Sequence, residues 1–163
     1  MHIVTPEKFL ELYELDVSPY VVSERGYDYI RNAFIPMLMA KYLPDIELVF
    51  ENSEKTESPF HPLPDGSGFV LCYLRSRVSD GGITQPMHYP VMDNPPKFAA
   101  IINPNARDIN DAIARAGVKC IAFNTGLGLK LFTREAEVKD KGTVARTTKK
   151  EVTTPLAVTS DLW

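Results

Sequence analysis

Apolar and polar positions alternate most cleanly in "FVLCYLRSRVS", where Phe69, Leu71, Tyr73, Arg75 and Arg77 share one parity. A period of two predicts a strand. "IELVFENSE" repeats the signal, with Ile46, Leu48 and Phe50 on one side. Asp80-Gly81-Gly82 is a hairpin signal, and "ITQPMHYPVMD" reads as the returning strand. Its Pro86 and Pro90 lack ladder donors, which predicts an edge or a bulge.

Elsewhere the period is helical. Thr5 and Pro6 open a short amphipathic helix with Phe9, Leu12 and Tyr13 inward. Residues 16–28 read as a loop or short extended piece. Ile30, Phe34, Leu38 and Tyr42 then predict a second helix, kinked or restarted at Pro36 and ended by Pro44. Residues 55–68, rich in proline and glycine, read as a loop. Asn105 with Asp108 resembles a capping box, so a helix is predicted from about Arg107 to Phe123. Its apolar stripe is Ile109, Ile113, Ala116, Cys120 and Ile121, and its polar stripe is Asp108, Asp111, Arg115 and Lys119. "GLGLKLFT" reads as a short last strand. The order of elements predicts an α+β fold with a mainly antiparallel sheet.

From Glu135 the chain is rich in lysine and threonine, with few large apolar residues before Leu162 and Trp163. Residues 137–163 are expected to be a flexible tail behind a domain of residues 1–136. The tail ends "TSDLW", which reads either as a plain disordered end or as a short docking motif.

At 163 residues one core is expected. No apolar run is long enough to cross a membrane, and the first residues lack a secretory pattern. Cys72 and Cys120 lie in apolar segments and read as reduced core residues of a cytosolic protein. The net charge of -3 does not announce a nucleic-acid binder, but its distribution is uneven. Residues 1–65 hold 5 Lys/Arg against 12 Asp/Glu, and residues 66–163 hold 13 against 9. An acidic face and a basic face follow, and a basic face binds anions whatever the total charge.

The glycine pair Gly126-x-Gly128 beside positive charge raises the question of a phosphate loop. Phosphate loops join a strand to a helix N-terminus, whereas this pair follows a helix, where free carbonyls point outward. Gly126 is expected to cap that helix in left-handed conformation, and no nucleotide cofactor is expected. His2, His61 and His88 match no metal spacing. Asp80, Asp93, Asp108 and Asp111 leave a metal-dependent nuclease as an alternative, though turn and cap roles explain most of them.

The basic candidates fall in three places. Asp111 and Arg115 are a favourable i,i+4 pair, while Arg115 and Lys119 are a like-charge pair that a bound anion would relieve. Arg75 and Arg77 share a strand face with Tyr73, a mix that suits a single nucleic-acid strand. Arg25, Tyr27, Tyr29 and Arg31 repeat that mix. Read from spacing alone, these are also solvated faces and core tyrosines.

"YPVMDNPPKFAAIINPNARDINDAIARAGVKCIAFNTGLGLKLFT" resembles the signature region of the phage-type single-strand annealing proteins of the Sak-three family. The resemblance rests on Pro90 to Asp93, on Ile109 to Arg115, on Val118 to Ala122 and on Gly126 to Leu129. It covers roughly residues 25–133. It implies a Rad-fifty-two-like superfold: a curved antiparallel β-hairpin sheet backed by a helix, a β-β-β-α core behind N-terminal helices. It further implies a non-enzymatic, ATP-independent protein of the bacterial host's cytoplasm that anneals DNA strands in phage recombination and repair. Homo-oligomeric rings or filaments are implied, with single-stranded DNA and an annealed duplex intermediate as ligands. A host single-strand-binding or replication protein, or a phage exonuclease, is an implied class of partner. The expected DNA contacts are Arg115 and Lys119, with Arg75, Arg77, Lys97 and Arg107 nearby, and Arg25 and Tyr27 as further candidates. A nuclease, or a structural or regulatory phage protein, is the alternative.

Overall fold

The computed structural model describes residues 3–24, 26–78, 80–94 and 97–133. The Arg25 expectation and the tail at 137–163 lie outside them. The fold is α+β with open antiparallel sheets.

Thr5 caps α1 (Pro6–Glu14), its hydroxyl accepting the Lys8 amide at 3.2 Å. The predicted loop at 16–28 and the start of the predicted second helix instead form a hairpin, β1 (Val21–Glu24) and β2 (Tyr27–Ile30). Ile30 pairs with Val21 there and is buried. A 3-10 turn over Asn32–Phe34 leads into α2 (Ile35–Tyr42). Pro36 lies in the first turn of α2, where its missing N–H has no helical partner to lose. It therefore starts a helix rather than kinking one.

The main sheet comprises β3 (Ile46–Glu51), β4 (Phe60–Pro62), β5 (Gly68–Ser76) and β6 (Met87–Pro90). Leu71 and Cys72 of β5 pair with β3 on one edge and β6 on the other, and Phe69 and Val70 pair likewise with β4 and β6. Consequently β3 and β4 run end to end along one edge of β5. The short β4 falls in the region read as loop. The return strand is interrupted as its prolines predict: Ile83 bridges Arg75 alone, and regular pairing resumes only at Met87.

Alternation along β5 sorts its side chains. Val70, Cys72 and Leu74 are fully buried beneath α3 (Ala106–Thr125), while Phe69, Leu71, Tyr73 and Arg75 point to the opposite face. α3 meets the sheet with small residues, Ala112, Ala116, Gly117 and Cys120, which lets the backbones approach. A methyl on Gly117 would lie 3.0 Å from Leu48 Cδ2. The Cys72 thiol donates to the Ala116 carbonyl at 3.7 Å, and contact with the Cys120 thiol, then burial, pushes its pKa far up. Both cysteines are free and inside the core.

Both ends of α3 form as read. The Asn105 side chain accepts the Arg107 and Asp108 amides, and Asp108 accepts the Asn105 amide at 2.9 Å, completing the capping box. Gly126 caps the far end at φ 85°. The strand expected from Gly126 onward is not formed. Gly128 (φ 74°) turns the chain again, and residues 129–133 are helical. Leu127 and Leu131 are buried; their spacing fits a strand read in steps of two and a helix read in steps of four.

Candidate nucleic-acid interface

Arg115 and Lys119 are one turn apart on the side of α3 that faces β6 and the chain after it. The Arg115 guanidinium donates to the Met92 carbonyl at 3.5 Å and to the Asn94 side-chain oxygen. Burial raises the pKa of the Tyr89 phenol, and the nearby Arg115 charge pulls it back. Lys119 Nζ stands 5.6 Å from the Tyr89 ring centroid and 6.0 Å from that of Phe132, both cation–π distances.

The partners of both cations are neutral. The Asp111–Arg115 ion pair expected from spacing is not made, and among the described residues no carboxylate pairs with Arg115 or Lys119. Their charge therefore remains available to an external anion. Tyr29 lies on β2. Its hydroxyl donates to Glu24 Oε2 at 2.8 Å, and this bond, then burial and the Glu24 charge, raise its pKa. Arg31 and Arg115 oppose that rise, which puts the hairpin within electrostatic reach of α3.

The other expected contacts divide around this centre. Arg107, in the first turn of α3, and Lys97, just after Asn94, are both exposed. Tyr27 is half-buried at the start of β2. Arg75 and Arg77 are not beside Arg115. They lie on the opposite face of the sheet, where Arg75 Nε is 2.5 Å from Glu47 Oε1 and Arg77 Nε is 3.8 Å from Glu47 Oε2. One carboxylate thus serves two guanidinium groups. On that same face His61 stacks flat on Phe69 at 5.1 Å, and His88 tilts against Phe69 at 4.9 Å.

Sequence reading missed Tyr89, Asn94 and Phe132 at the basic centre. Tyr89 carried one available signal: it follows Pro86 and His88 on a strand that must pair beside β5. Nothing local marked the other two.

Among the described residues no group of three His, Cys, Asp or Glu could hold a metal. Asp108 is occupied by the capping box. No helix of the described residues is long and apolar enough to cross a membrane. Two unneutralised cations set among tyrosine and phenylalanine rings suit a polyanion with flat bases.

No curated protein matches the chain. The model of the family described as Sak Single Strand Annealing Protein matches residues 7–155, which takes in the whole fold but for the first residue of α1 and runs past residue 136. With a match over most of its length, the chain belongs to the Sak single-strand annealing protein family.

Proposed function

We propose that the protein binds single-stranded DNA across the α3–β6 side and pairs it with a complementary strand, without ATP, during phage-type recombination. The observation that carries this reading is the pair Arg115 and Lys119, held by neutral groups and lacking carboxylate partners among the described residues. Cations left in that state neutralise phosphates and release counterions. The role is physical: the groove holds the backbone and leaves base edges for a second strand to test. Family membership supports single-strand annealing in general.

Lys97, three residues after Asn94, and Arg107, eight residues before Arg115 on α3, extend the basic path. Arg25 and Tyr27 are further contacts on the hairpin side. Arg75 and Arg77 contribute less, because Glu47 already partners both. One subunit offers only a few phosphate contacts, so side-by-side assembly into rings or filaments supplies the length. The segment 137–163 serves as an appended tail, available to a host single-strand-binding or replication protein or to a phage exonuclease.

The test is titration of a fluorescent oligothymidylate at several salt concentrations. Four phosphate contacts, from Arg115, Lys119, Lys97 and Arg107, give a log–log salt slope of about -2.8 per subunit for a single strand. Replacing Arg115 and Lys119 by alanine should reduce the slope to about -1.4. Binding without salt dependence would contradict the proposal.

A further inference from the structure

Residues 91–94 and 99–101 pair as two short antiparallel arms. The Ile101 amide bonds the Val91 carbonyl at 3.0 Å, Met92 and Ala100 bridge, and the Asp93 amide bonds the Ala99 carbonyl at 2.8 Å. The Lys97 amide donates to the Asn94 carbonyl at 3.2 Å. Phe98 follows, 50% exposed, at φ 48°. A bulky residue in the left-handed region is a backbone outlier, and glycine would adopt that conformation without cost. Phe98 makes no ring contact among the described residues, whereas the similarly exposed Phe123 leans on Phe132 at 5.8 Å.

The first of these arms also holds Arg115, through Met92 and Asn94. Lys97 and Phe98 therefore lie on the arm that pairs back onto Asp93 and Asn94, the segment to which Arg115 is bonded. A single strand can satisfy both, offering phosphates and unstacked bases. A duplex offers phosphates, but its bases are already stacked on each other.

We infer that Phe98 stacks on an unpaired base of the strand held by Arg115 and Lys119, and so sets the preference for single-stranded over duplex DNA. The inference rests on the function proposed above and names the residue that gives that site its specificity. A strand that has found its complement withdraws the base from the ring and keeps only the phosphate contacts. Annealed product then leaves more readily than substrate.

The full chain and its Phe98→Ala, Phe98→Gly and Phe98→Trp variants are titrated with three probes. These are an oligothymidylate, the same length of abasic strand, and a duplex. The glycine variant relieves the positive φ, so it removes the ring without endangering the fold. Loss of the ring should weaken oligothymidylate binding about tenfold. Duplex and abasic affinities and the salt slope should not change, and tryptophan should restore binding. Equal oligothymidylate affinity in the wild type and Phe98→Gly overturns the inference while leaving the proposed function intact. So does an equal loss on all three probes. A change of assembly state in Phe98→Gly by sedimentation, with unchanged DNA affinity, assigns the ring to a contact between copies and also overturns it. Failure of the wild type to bind oligothymidylate at all defeats both readings.

Discussion

Gly126 and Gly26 share a backbone conformation, φ 85° and 84°, but not a neighbourhood. A methyl on Gly126 would lie 2.4 Å from the Phe9 carbonyl oxygen and 3.2 Å from the Tyr13 nitrogen, both backbone atoms of α1. A methyl on Gly26 would meet nothing within 4 Å. Alanine at either position carries the left-handed penalty of about 1–2 kcal/mol. At Gly126 it must also push α1 off the end of α3, an overpacking cost of roughly 1–3 kcal/mol. Gly126→Ala should therefore lose about 2–5 kcal/mol and Gly26→Ala about 1–2 kcal/mol. In a chain of this size an extra 2 kcal/mol corresponds to a further fall of about 4–8 °C in Tm. Urea and thermal melts of the two variants measure the difference directly. Equal losses would show that α1 is not seated on the cap of α3.

Three further outcomes follow from the same geometry. Asn105→Ala removes both side-chain bonds to the first turn of α3 and should cost about 1 kcal/mol in a urea melt; no loss would mean the capping box contributes nothing. Cys72 and Cys120 should resist a thiol reagent in native buffer and react fully in denaturant, because both are buried and the Cys72 thiol is held protonated; rapid native labelling would place them outside the core. Arg75→Ala with Arg77→Ala should reduce oligonucleotide affinity less than Arg115→Ala with Lys119→Ala, since Glu47 already partners the first pair; the reverse order would move the DNA path to the open face of the sheet.

What could be read in the sequence follows from how local each signal was. β5 alternates over nine residues, and α3 carries a cap at each end, so both were legible. The β1–β2 hairpin was not, because Ile30, Phe34, Leu38 and Tyr42 happen to keep a helical spacing across a strand, a 3-10 turn and a helix. Leu127 and Leu131 satisfied both periods, and only packing decided for a helix. At the site, the i,i+4 relation of Arg115 and Lys119 was visible, but their partners were not. Asn94 and Met92 stand 21 and 23 residues before Arg115 and meet it only through the pairing of β6 beside β5. Arg75 shares a strand face with Tyr73 as read, whereas Arg77 falls just past β5 and is linked to Arg75 through Glu47. Which face α3 occupies is a tertiary fact, and it separates them from Arg115.

The most direct test is strand annealing without ATP, followed by fluorescence transfer between two labelled complementary oligonucleotides. The wild-type protein should pair them well above the spontaneous rate, with the advantage falling steeply as salt rises. Arg115→Ala with Lys119→Ala should lose most of that advantage while melting like the wild type. Annealing no faster than spontaneous pairing, or an unaffected double variant, would contradict the proposal that this helix carries the DNA.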